Sequence, residues 1–152
     1  MALDIRTILD AVESHALASG YFVAVNGHEP KSTPTTGITC AVWVEQIGPA
    51  RGGSSLNSTS ARLALFVRLY SSMMQQPADA IDPDLMTALD ALMAAYSGDF
   101  ELGGLIRHVD LLGAYGDGLS ARSGYLAEGD AEFRVFTITL PLVVNDLWLQ
   151  AP

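Results

Sequence analysis

Apolar residues recur at Ile5, Ile8, Leu9, Val12 and Ala16, the roughly 3.6-residue spacing of a helix with one buried face. Arg6, Asp10 and Glu13 fall on the opposite side, Asp4 is placed to cap the first turn, and Gly20 accepts the left-handed angles that close a helix. Tyr21 to Asn26 is a short aromatic and β-branched run that reads as a strand. Pro30, Pro34, Gly27 and Gly37 then exclude regular structure. From Ile38 to Ile47 the period drops to two. Ile38, Cys40, Val42 and Val44 form one face of a second strand, and Thr39, Ala41, Trp43 and Glu45 the other. Gly48 to Ser60, rich in glycine and serine, predicts a long flexible loop. A third strand is predicted over Ala61–Tyr70. Leu63, Leu65, Val67 and Leu69 form its core side; Arg62, Ala64, Phe66, Arg68 and Tyr70 form a mixed side that is exposed or meets a partner.

The pattern returns to helical spacing at Leu85, Leu89, Leu92, Met93 and Tyr96. Asp82 is the expected cap of this second helix, Pro83 its first residue, and Gly98 its end. Leu105–Leu112 reads as a further strand, Gly113–Gly118 as a glycine-rich connection, and Arg122–Ala127 as a short extended stretch. Phe133–Val144 is the last long strand; Pro141 lacks an N–H for a sheet ladder and marks an edge or a bulge. Strands grouped before and after a helix predict an α+β sandwich over residues 1–152. It is a single domain, a mostly antiparallel β-sheet with two helices packed on it.

Composition narrows the function classes. A chain of 152 residues suits one domain that needs no staples. Its 49% apolar and 16% charged residues suggest a surface partly covered by partners. With 8 Lys+Arg against 17 Asp+Glu, the net field at −9 does not draw it to nucleic-acid phosphates. One cysteine forms no internal disulfide, which points to a reducing compartment. The start MALDIRTILDAVESHA lacks a basic, unbroken apolar leader, and no run reaches the ~18 apolar residues of a membrane helix. The expectation is a soluble protein made in the cytoplasm, with no membrane partner.

Candidate chemistry is sparse. His28–Glu29 opens like a zinc-protease HExxH, but position 32 is serine, and the flanking prolines exclude the required helix. Cys40 with His15, His28 or His108 would make a thiol–imidazole pair, yet Cys40 lies on the apolar side of its strand, where cysteine is usually a small hydrophobe. His108 and Asp110, two apart on one predicted strand, point the same way; such a pair is more often a surface or interface ion pair than a catalytic dyad. The glycines of RGGSS and ELGG are not followed by the Lys-Ser/Thr of a phosphate loop, and no Cys/His cluster has zinc spacing. The reading is a protein that is not an enzyme, with no catalytic, metal or cofactor site.

Contact surface remains. Residues expected to make it are His28, Glu29 and Lys31 in the first loop and Arg51, Ser54, Ser55, Leu56 and Asn57 in the second. Arg62 and Arg68 on the mixed strand face and Trp148 past the last strand complete the set.

The segments, taken in order, resemble a tail terminator protein of long-tailed bacteriophages, particularly those of actinobacteria. The likeness is carried by HEPK (His28–Lys31), AVWVEQI (Ala41–Ile47) and the serine-rich loop entering TSARLALFVRLY. It continues in DPDLMTALDALMAAYSGDF, LGGLIRHVDLLG and FRVFTITLPLVVNDLW, nearly end to end. The resemblance implies a helix–sheet–helix subunit of a homohexameric ring. That ring sits on the tail tube, stops addition of tube protein, and offers a docking surface to the head-completion or neck protein. It also implies a virion location at the tail neck, assembly in the host cytoplasm, and genomic DNA passing through the lumen without specific binding. An acidic chain suits such passage. The competing readings are another neck component, either head-closure or tail-completion, and a generic binding module. From a different class comes a small cytosolic enzyme using Cys40 or His28–Glu29.

Overall fold

Three long strands form the centre of the molecule. The computed structural model describes residues 2–29, 37–51, 54, 57–74 and 76–150. In chain order its elements are α1 (Ile5–Ser19), β1 (Ala24–Asn26), β2 (Ile38–Pro49), β3 (Ser58–Ser72), α2 (Ile81–Gly98), β4 (His108–Val109), β5 (Ser120–Glu128) and β6 (Ala131–Leu149). Short 3-10 turns at Ala78–Ala80 and Leu102–Gly104 flank α2. The strands make one 6-stranded sheet in the order β1-β2-β3-β6, with β5 and β4 sharing the far side of β6. Only β1–β2 is parallel. The expected α+β architecture is therefore observed, a mostly antiparallel sheet with two helices packed on it.

Alternation explains which face the helices cover. Cys40 and Val42 on β2, Leu63, Leu65, Val67 and Leu69 on β3, and Ile138, Leu140 and Leu142 on β6 all point to one side. There they meet Ile8, Val12 and Ala16 of α1 and Leu85, Leu89, Leu92 and Tyr96 of α2. Each such leucine or valine contributes roughly 1.5–3 kcal/mol of burial free energy. The helices are also tied to each other: the Tyr96 hydroxyl donates to the Val12 carbonyl at 3.2 Å, and His15 Nε2 lies 2.9 Å from Asp99 Oδ2. Asp82 anchors the start of α2 to β6 through the Arg134 guanidinium, with Nε 2.9 Å from Oδ1.

The first helix matches its predicted ends: Asp4 accepts from the Thr7 N–H, and Gly20 closes the helix at φ 78°. Four expectations need correction. The second helix starts at Ile81, so Asp82 lies inside its first turn and caps nothing; it favours the positive helix end and binds Arg134. The predicted strand Leu105–Leu112 shrinks to His108–Val109, because Leu102, Gly103 and Gly104 at positive φ coil the chain and turn Leu102 and Ile106 into the core. The predicted loop Gly48–Ser60 is shorter, since β2 continues to Pro49 and β3 already begins at Ser58. Pro141 is neither at an edge nor in a bulge. Its carbonyl accepts from the Asp110 N–H, so its missing N–H would have faced the same side, beside the gap where β5 gives way to β4.

Candidate interaction surface

The second face of the sheet carries no helix among the described residues. Its side chains follow from register. Trp43 pairs with Phe66 and Phe66 with Thr139; in the adjacent row Ala41, Arg68, Thr137 and Arg122 lie side by side across β2, β3, β6 and β5. The next row holds Tyr70 and Val135, which with Ala41 and Phe133 form a small second core under Trp43 and Leu126. These rows, the strand β5 and the connection through Asp117 and Gly118 enclose a trough of about 850 Å3.

Arg68 lines it. Its guanidinium sits 5.2 Å from the Trp43 ring centroid and 6.0 Å from that of Tyr70, within cation–π range. Its Nε donates to Thr137 Oγ1 at 2.8 Å. Trp43 meets Phe66 edge-on at 5.9 Å, so the arginine rests on a braced aromatic wall. Burial pushes the Tyr70 phenol up to about 12, with the Arg68 charge pulling the other way, so Tyr70 stays neutral beside the cation. At one end Arg62 donates from Nη2 to the Asp117 carbonyl at 2.7 Å. Gly116 permits this approach, because a Cβ there would stand 2.9 Å from Arg62 Nε.

The expected contact residues separate into three places. Arg62 and Arg68 line the trough. Ser54, Asn57 and Trp148 gather at the end of the sheet where β2 turns into β3 and β6 finishes. There Ser54 Oγ donates to the Ala50 carbonyl and accepts from the Ser60 N–H. Gln150 N–H donates to the Asn57 carbonyl, and Trp148, 41% exposed, lies opposite Thr59 inside β6, not past the last strand as expected, because β6 stays paired with β3 as far as Leu149. Arg51 is exposed in the same turn. His28 and Glu29 are exposed just past β1, which is paired only with Thr39–Ala41 at the start of β2. From Ala41 to Pro49 is roughly 25 Å of strand at about 3.3 Å per residue, so the two predicted loops leave the sheet at distant points. Lys31, Ser55 and Leu56 lie outside the described residues.

The enzymatic candidates take structural roles. Cys40 is fully buried in the core, and desolvation pushes its thiol up to about 12, far from a reactive thiolate. His108 and Asp110 do not pair. The Asp110 carboxylate accepts from the Ala114 N–H at 2.7 Å and the Tyr115 N–H at 3.0 Å, while His108 Nδ1 donates to the Val109 carbonyl and its ring stacks on Tyr115. His28 Nδ1 donates to the neighbouring Glu29 carbonyl. Among the described residues no three His, Cys, Asp or Glu side chains are grouped to hold a metal, and no helix is long and apolar enough to cross a membrane.

Sequence reasoning assigned no role to Arg122 or Thr137. The signal was present in Gly129–Asp130, a two-residue turn that joins β5 to β6 and makes positions equidistant from it partners. Arg122 must then face Thr137, and Thr137 faces Arg68 across the next ladder.

No protein-family profile matches the chain, and no curated protein matches it. Among solved structures it is similar to the sheath/tube terminator of an extracellular contractile injection system, PVC, seen by cryo-EM in the extended state. The TM-score is 0.42 and the identity 11%, over 96% of this chain and 58% of that one. The chain thus spans little more than half the length of that protein.

Proposed function

We propose that this protein is a structural subunit that forms a ring on the end of a phage tail tube, ends tube polymerisation and presents the surface on which the head or neck docks. What supports the reading is where the family-like segments fall in the fold. AVWVEQI lies in β2, TSARLALFVRLY in β3, DPDLMTALDALMAAYSGDF in and just beyond α2, and FRVFTITLPLVVNDLW in β6. Together they build the three central strands and the covering helix, so the resemblance is spread over the framework.

The partners in this reading are other copies of the chain, six in the ring, the tube protein and a neck protein, with DNA passing through the lumen unbound. The place is the virion neck. The arginine trough and the Trp148 end are two separate surfaces, which a subunit touching both neighbours and tube requires. No cofactor and no chemical step enter.

The test is genetic and visual. Without this protein, tails assembled from the same genome's tube protein should grow past their normal length and stay headless; supplied in trans, the protein should restore both length and head attachment. Tails that end at normal length and join heads in its absence would overturn the reading.

A further inference from the structure

We infer that the trough on the open sheet face is the receiving half of a front-to-back contact between copies of this chain, and that the outer ridge of α2 is the inserted half. This rests on the reading of the chain as a self-assembling subunit and adds which surfaces meet.

Charge complementarity carries it. Arg62, Arg68 and Arg122 all line the trough, from 8 lysines and arginines in the whole chain. Arg68 and Arg122 flank Thr137 in one cross-strand row, and neither makes an ion pair among the described residues. Two guanidinium groups beside a threonine hydroxyl, over an aromatic wall, form a seat for one carboxylate with an apolar neighbour. Glu45 and Asp117 also line the trough, so it suits a single carboxylate and repels a polyanion.

The opposite side of the molecule carries the opposite sign. α2, IDPDLMTALDALMAAYSG, contains no lysine or arginine. Its exposed ridge runs through Met86 and Thr87, then Asp90 and Ala94, each step onward three or four residues along the helix. Asp90 is the one charge in the middle of that ridge, and Met86 is 47% exposed beside it. Placed in a neighbour's trough, the Asp90 carboxylate meets the Arg68–Arg122 row and Met86 meets Phe66. Because the two halves lie on opposite sides of the subunit, α2 over the covered sheet face and the trough on the open one, a copy cannot offer both to the same neighbour. Such a contact is heterologous and propagates into a ring or an open chain, never a closed two-fold dimer.

The test uses the purified full chain. Sedimentation should show self-association of the wild type, weakened at least about 30-fold by Arg122→Glu and equally by Asp90→Arg, as expected for breaking a desolvated charge contact. The doubly reversed chain should recover it. Because reversal variants can misfold, a second measurement uses cysteines. Arg122→Cys with Asp90→Cys in one chain should give a covalent ladder with a short bismaleimide, while either cysteine alone gives none; Cys40 is buried and silent. Normal rings from both reversal variants, with no ladder, would overturn this surface assignment while leaving the ring reading intact. A wild-type chain that stays monomeric both alone and on tail tubes would overturn both.

Discussion

Asp99 shows how one side chain links two helices and sets a pH response. Its carboxylate accepts from His15 on α1 at 2.9 Å and from the Gly103 N–H at 3.0 Å. Those bonds, first from His15 and then from Gly103, hold the Asp99 carboxyl below the usual carboxylate range. A group whose folded value is depressed adds stability above its unfolded value and loses it as pH falls through the folded one. The contribution is therefore present above about pH 4, the unfolded carboxylate value, and lost below it. The Asp99 side chain is 41% exposed, so solvent screening keeps the effect modest. The urea midpoint of Asp99→Asn should lie below that of the wild type at pH 6, and the two should converge below about pH 3. A gap that stays constant across that range would show that the charge on Asp99 does not matter. His15 and Asp99 stand 84 positions apart, and nothing in the pattern of either helix announces the pair; only the packing of α1 against α2 creates it.

Elements were legible where the period was long and pure, and obscure where a strand breaks its own phase. α1, α2 and the inward faces of β3 and β6 follow from spacing alone, because each leucine or valine row has one apolar side available; on β2 the rule holds for Cys40 and Val42 but not for Val44, expected beside them and 41% exposed at the bulge. The bulge in β2 between Val44 and Gln46 shifts the register by one residue, and no local turn residue marks it. The irregularity in β6 is similar. Asp146 takes φ 49°, its carboxylate accepts from Ser58 Oγ at 2.6 Å, and its N–H donates to Ser60 Oγ at 3.1 Å. Aspartate tolerates left-handed angles and here finds local partners for both its groups, which is how β6 stays paired with β3 as far as Leu149. Asp146→Val would place a β-branched residue at that angle and remove the acceptor, at a cost of roughly 1–3 kcal/mol. Asp146→Asn keeps the angle and an acceptor, and should cost about 1 kcal/mol at most. Thermal unfolding of the two variants checks the order, and equal loss would mean that the backbone angle is unimportant. The trough was half visible for the same reason. Arg62 and Arg68 stand out on a strand with a clean apolar side, while Arg122 is given its place only by pairing across the Gly129–Asp130 turn.

At the scale of the whole molecule two electrostatic effects of opposite sign govern assembly, and their ranges decide which dominates. Every copy carries a net charge of −9, so copies repel over distance. The trough and the α2 ridge attract at contact. Repulsion between exposed charges acts over about 30 Å at 0.01 M salt but only about 8 Å at 0.15 M, so modest salt removes it first. A carboxylate seated between two arginines is partly desolvated and screened much less, so it weakens only when the screening length approaches about 3 Å near 1 M. Self-association should therefore rise from low to physiological salt and fall again toward molar salt, giving a maximum between. Apolar burial would instead strengthen, or stay level, at high concentrations of an excluded salt such as sulfate. Measuring the association constant in both sodium chloride and sodium sulfate separates the two. A maximum in chloride with a decline above it fits the arginine contact, whereas a monotonic rise in both salts would mean that copies adhere through apolar surface such as Trp148 and Leu149, both exposed at the end of β6.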